Sequence, residues 1–127
     1  MVQEKGFCDL GFAKIDIDRK MRRGFSEAIY CQGKSQHQLK TICGEFLKNK
    51  QDILLTKLDQ PTFAYLKKSI SGLRYNSLAR IGYFSQKNKT KKKGLVAVVS
   101  AGTADMPVAE EAVVTLEVMG NRTLKFY

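Results

Sequence analysis

Five consecutive apolar residues, Leu95 to Val99 (LVAVV), run into the turn Ser100 to Met106 and then into Pro107. This feature constrains the fold most. A strand with no polar face needs cover on both sides, as a central parallel strand between helices has. Proline is tolerated in the first turn of a helix, where its missing N–H would be unpaired anyway. The spacing predicts a helix from about Pro107 to Met119. Val108, Ala112, Val113, Leu116 and Met119 are expected on its packed face, with Glu110, Glu111 and Glu117 towards solvent. Gly120 marks its stop. Thr123 to Tyr127 opens a second strand. The expectation is a βαβ unit cut off in its second strand, hence an incomplete domain with an uncovered helix face.

The preceding chain differs in charge. Residues 1–93 hold 20 Lys+Arg against 8 Asp+Glu, whereas residues 94–127 hold 2 against 4. The change falls at Gln86 to Lys93 (QKNKTKKK), which has nothing apolar to bury and reads as a linker or exposed loop. No aromatic residue interrupts it, so a nucleic-acid surface is the lesser expectation. The organisation expected is a small basic α/β domain over 1–84, a Lys-rich linker over 85–93 and the start of a second α/β domain over 94–127.

Within the first part, Gly11 to Ile17 and Glu27 to Cys31 read as strands. Ser35 with Gln38 forms a capping-box pattern. Leu39, Ile42, Cys43, Phe46 and Leu47 then share one helical face. Ile53–Leu54–Leu55 reads as a short buried strand. A second helix is expected from Pro61 to about Ser69, with Phe63, Leu66 and Ile70 inward and Gly72 ending it. Leu73 to Tyr75 and Ala79 to Phe84 are further strands.

No stretch nears the roughly 18 apolar residues of a membrane span, and Met1 to Gly11 lacks the pattern of a signal peptide. Cys8, Cys31 and Cys43 match no zinc or CxxC spacing. Three free thiols in a reducing cytoplasm are expected. Lone His37, Arg22 and Arg23 read as surface residues.

The chemistry concentrates in Val98 to Glu111 (VVSAGTADMPVAEE). A buried strand delivers small residues to a helix N-terminus, where free amides and the positive dipole end favour an anion. Gly102 lets a phosphate approach the backbone. Ser100 and Thr103 add hydroxyls, and Asp105 can accept from ribose hydroxyls. An Asp at a helix start also serves as a plain cap, and the residues alone leave both roles open. Neither GxxxxGK[ST] nor GxGxxG is present, so ordinary NTP and dinucleotide fingerprints are excluded. Lys34, just before the Ser35 cap, is a further candidate for a phosphate, with a solvent-facing turn as the alternative.

The stretch SAGTADMPVAEEA resembles the first strand–turn–helix of aminoimidazole ribonucleotide carboxylase (PurE-type) domains. Asp105, Pro107, Val108 and Ala112 match that pattern, while Ala101, Gly102 and Ala104 depart from it. Phe12 to Ser35 (FAKIDIDRKMRRGFSEAIYCQGKS), Leu78–Ala79–Arg80 and VVSAGTADMPVAEEAVVTLEVMGNR resemble the LarB family of nickel-pincer cofactor biosynthesis. That resemblance implies a flavodoxin-like, three-layer PurE-like domain following a small N-terminal α/β domain. It implies a carboxylase/hydrolase that adds CO2 to the pyridinium ring of nicotinic acid adenine dinucleotide and releases AMP. It also implies CO2 or bicarbonate as co-substrate, an assisting divalent metal such as Mg2+, and a homo-oligomer. The family's catalytic cysteine belongs to a later part of that domain, so Cys8, Cys31 and Cys43 are not put in its place, and this stretch alone is expected to be inactive. The substrate-anchoring residues implied here are Ser100, Gly102, Thr103, Asp105 and Pro107, with Lys34 beside them. Alternatives are a purine-pathway carboxylase relative, a basic nucleic-acid-binding module, and a pure interaction domain.

Overall fold

The computed structural model describes residues 2–4, 6–16, 27–86 and 92–127. Three sheets and three helices are present among them. β1 (Val2–Glu4), β2 (Phe7–Asp9) and β3 (Lys14–Asp16) form an antiparallel sheet. Cys8 of β2 and Ile15 of β3, opposite one another in register, are buried. β1 and β2 were not expected from the sequence. Neither VQE nor FCD sits in a longer run of strand-forming residues of the kind that marks Glu27 to Cys31.

β4 (Ala28–Tyr30), β5 (Ile53–Thr56), β6 (Arg74–Asn76) and β7 (Ile81–Phe84) form a mixed sheet in the order β4-β5-β7-β6. β4 and β5 are parallel, and β7 runs antiparallel to both of its neighbours. The β4–β5 crossover is α1 (Gln36–Lys48). Its capping box is complete: the Gln38 N–H donates to Ser35 Oγ at 3.0 Å, and the Ser35 N–H donates to Gln38 Oε1 at 2.9 Å. α2 (Gln60–Lys67) begins on the Asp59 cap, where Oδ1 accepts from the Thr62 N–H at 2.8 Å. It ends before Ser69, and Ile70 reaches the core from the turn beyond it.

Side chains alternate across a strand, and β5 shows the consequence. Ile53 and Leu55 point into the main core with Leu39, Ile42, Cys43 and Phe46 of α1 and Leu66 of α2. Leu54 points the other way, into a second cluster with Ala79, Ile81 and Val114. The run is therefore apolar on both faces because both faces are covered.

Val114 belongs to α3 (Met106–Val118), which follows β8 (Leu95–Val99) and precedes β9 (Arg122–Phe126). β8 and β9 pair in parallel, Leu95 opposite Arg122 and Val99 opposite Phe126. The βαβ unit is present, but two expectations are corrected. β8 is not enclosed: Leu95, Val99, Leu124 and Phe126 stand exposed on one face of the two-stranded sheet. The inward face of α3 is also rotated, burying Ala109, Glu110, Val113 and Val114, while Val108 is 66% and Met119 39% exposed. The reason is a second packing partner. α3 lies against both the β8–β9 pair and the four-stranded sheet, and Val118 joins the second cluster.

Polar contacts tie the same two regions. Glu110 accepts from Lys125 Nζ (2.9 Å), the Tyr127 hydroxyl (2.8 Å) and Asn76 Nδ2 (3.3 Å). Lys57 Nζ pairs with Glu111 Oε2 at 2.8 Å. Of the expected linker, Gln86 is held by Asp52, its N–H donating to Oδ1 at 2.7 Å. Lys93 donates its N–H to the Gly120 carbonyl at 2.9 Å. Residues 87–91, and with them Lys87, Lys89 and Lys91, lie outside the described residues, as do Arg19, Arg22 and Arg23.

Candidate functional site

The Ser100 N–H donates to the Phe126 carbonyl at 2.9 Å, which extends the β8–β9 pairing to the first residue of the turn. Gly102 sits at φ +83°, a left-handed conformation that glycine adopts without steric cost. The Met106 N–H closes the turn on the Thr103 carbonyl at 3.3 Å. Pro107 occupies the first helical turn, and the Ala109 N–H to Asp105 carbonyl bond (2.9 Å) starts the ladder.

Asp105 stands at the N-cap position, with φ −92° and ψ −6°, and makes no side-chain cap hydrogen bond. A capping residue normally adopts extended backbone so that its side chain folds over the first amides. Ser35 and Asp59 do so, at ψ 159° and 161°. Asp105 lies in the helical region instead, and its exposed carboxylate leaves the start of α3 uncovered. Ser100 Oγ is buried and has no hydrogen-bond partner among the described residues. Buried hydroxyls are rarely left so, and each instance calls for an explanation.

Five of the six candidates therefore gather on one turn at the carboxyl end of a parallel strand: Ser100, Gly102, Thr103, Asp105 and Pro107. Lys34 is not among them. It follows β4, where its ammonium donates to the Tyr30 carbonyl at 2.6 Å and lies 6.0 Å from the Tyr30 ring centre. The turn offers free amides at a positive helix end, two hydroxyls and a carboxylate. That set suits holding an anion beside a hydroxyl-bearing group.

Glu110 is the residue that periodicity misplaced. Burial pushes its carboxyl up. The hydrogen bonds from Lys125 and Tyr127, the Lys125 charge and the Asn76 amide outweigh this and hold it below the usual carboxylate range. The Tyr127 hydroxyl is pushed up to about 12, by desolvation first and then by Glu110. Glu110 thus positions α3, and with it the turn. A signal was present: Val108, Ala109, Ala112, Val113, Val114, Leu116 and Val118 leave almost no polar arc. A helix apolar nearly all round packs on more than one side, which draws a glutamate inward.

The cysteines are buried and make no disulfide. Burial pushes the Cys31 and Cys43 thiols up to about 12, which suppresses the nucleophilic thiolate. Cys8 is also raised, by burial and then by Glu45. Among the described residues no three His, Cys, Asp or Glu side chains converge as a metal ion needs. No described helix is long and apolar enough to cross a membrane.

Comparison with known proteins adds the lineage. The chain is 32% identical over 122 residues to an uncharacterized protein of Methanocaldococcus jannaschii. The match takes in 90% of this chain and 47% of the relative, so the chain spans about half the length of the curated relative it matches. A family model described as the LarB/PurE-like N-terminal domain matches residues 7–87. That region holds β2 to β7, α1 and α2, more than half of the chain, and by it the chain belongs to the LarB/PurE-like N-terminal domain family.

Proposed function

We propose that this chain is the front portion of a LarB-type carboxylase/hydrolase, and that the turn from Ser100 to Pro107 anchors a phosphate and ribose of nicotinic acid adenine dinucleotide. The uncapped start of α3, together with the Ser100 hydroxyl that has no partner among the described residues, carries the reading. A phosphate on those amides gains the dipole end, Ser100 and Thr103 donate to its oxygens, and Asp105 accepts from a ribose hydroxyl. Anchoring of this kind orients the pyridinium ring for addition of CO2, the co-substrate drawn from bicarbonate. Groups elsewhere in the whole protein carry out the bond making and the release of AMP. The resemblance to the LarB family supports reading the whole protein as a cytoplasmic homo-oligomer.

The test is incubation of the full-length protein with nicotinic acid adenine dinucleotide and bicarbonate, with AMP followed by chromatography and the product by mass. AMP and a carboxylated mononucleotide are expected. Asp105→Asn should lower kcat/KM by about tenfold or more at an unchanged melting temperature. Turnover of aminoimidazole ribonucleotide instead would replace this substrate with that of the purine pathway. Turnover of neither would sink the proposal.

A further inference from the structure

A cleft of about 210 Å3 lies in the first domain, and none of its lining residues belongs to the turn just described. It is bounded by Gly33–Lys34, Lys57–Asp59, Thr62 and Arg80. Its position follows from the strand order. β4 and β5 are parallel, so the segments leaving them, from Cys31 and from Lys57, emerge at one sheet edge. The Cys31 N–H to Thr56 carbonyl bond (2.9 Å) holds them side by side. β7 runs the opposite way, so its entry residue Arg80 arrives at the same edge, tied by the Leu58 N–H to Arg80 carbonyl bond (2.8 Å). Open α/β sheets bind ligands at the carboxyl ends of their parallel strands.

The lining is cationic. Lys34, Lys57 and Arg80 come from three different loops, against one carboxylate, Asp59. Asp59 is already engaged by Thr62, and that contact, with the Arg80 charge as a lesser cause, holds it below its ordinary range. Lys57 has Glu111 as a partner and Lys34 the Tyr30 carbonyl. Arg80 is exposed and makes no ion pair within 4.0 Å among the described residues, though its charge acts on Asp59 across the cleft. Lys57 and Arg80 both sit at left-handed φ, 54° and 55°, where glycine would be relaxed.

We propose that this cleft is a second anion site, which takes a phosphate group, free or on a mononucleotide, with Arg80 as its main ligand and Lys34 and Lys57 beside it. A planar guanidinium grips phosphate oxygens in pairs, and a cleft of this size holds a phosphate group. The site does not depend on the carboxylase reading, which can fail without affecting it.

The test is 1H–15N NMR of the chain, titrated separately with inorganic phosphate, pyrophosphate and AMP. Shifts are expected at the amides of Gln32 to Ser35, Lys57 to Asp59 and Arg80 to Ile81. Equal response to pyrophosphate and AMP identifies a free-anion site, and tighter AMP binding a nucleotide site. Arg80→Gly relieves the left-handed backbone, so its melting temperature should hold or rise while affinity falls about tenfold or more. Lys34→Ala should weaken binding less. Arg74→Gln, on β6 opposite Tyr83 of β7, should leave it unchanged. No shifts at millimolar anion, equal affinity in Arg80→Gly, or equal losses in Arg74→Gln would overturn the proposal.

Discussion

The two ends of the chain solve helix initiation in opposite ways. In the first domain Ser35 and Asp59 fold over the first amides of α1 and α2. These helices serve the fold, and their polar ends are satisfied from within. In the βαβ unit Asp105 occupies the same position and leaves the start of α3 open. The contrast extends to packing: Phe46, Leu55 and Leu58 are fully buried, whereas Leu95, Val99 and Val108 stand in solvent. The lesson is that a helix start left unsatisfied by its own sequence neighbour is available to a ligand. The same residue type, Asp, serves either role according to its backbone conformation.

The largest expected effect tests the packing half of this contrast. Phe46→Ala should destabilise the chain by about 3–5 kcal/mol, since the lost transfer energy and the cavity add. Val108→Ala should cost within about 0.5 kcal/mol. Urea titration of both variants checks the difference, and equal losses would mean that the exposed face of α3 is covered in solution.

The next effect tests what joins the regions. Glu110→Ala strands Lys125, Tyr127 and Asn76 without their acceptor and should cost about 1–3 kcal/mol. The pH dependence follows from the shifts. The folded-state value of Glu110 is lowered, so its contribution is full above the ordinary carboxyl value near 4.3 and is lost as pH falls through the folded value. Tyr127 is raised, so its share is full below pH 10 and is lost as pH rises through about 12. Thermal melts of wild type and variant from pH 3 to 7 should converge at the acid end. A constant gap would break the assignment.

The smallest effect is the most pointed. Ser35→Ala and Asp59→Ala should each cost about 1 kcal/mol, as removed N-caps do. Asp105→Ala should change stability by no more than about 0.5 kcal/mol. Denaturant midpoints decide it, and a full capping penalty at Asp105 would return that residue to an ordinary structural role.

Where one rule decided the outcome, the sequence was readable. The Ser35–Gln38 spacing specified a capping box, and the periodicity from Leu39 to Phe46 specified the buried face of α1. The small-residue turn before Pro107 placed five candidates together because they are neighbours in sequence. Lys57 and Arg80 went unnoticed because nothing local links them. They meet Lys34 only through the parallel β4–β5 pair and the antiparallel return of β7.

The sequence by itself determined the α/β class, the cap of α1, the run of strand, turn and helix after residue 94, and the family. Each rests on spacing of a few residues, over which backbone geometry has one favourable solution. Tertiary structure alone decided which face of α3 is inward, that Glu110 is buried, that Asp105 does not cap, and that three distant cations share a cleft. Those outcomes depend on where a second element packs. A helix with apolar residues nearly all round has several faces of similar burial energy, and only the partner's position selects among them.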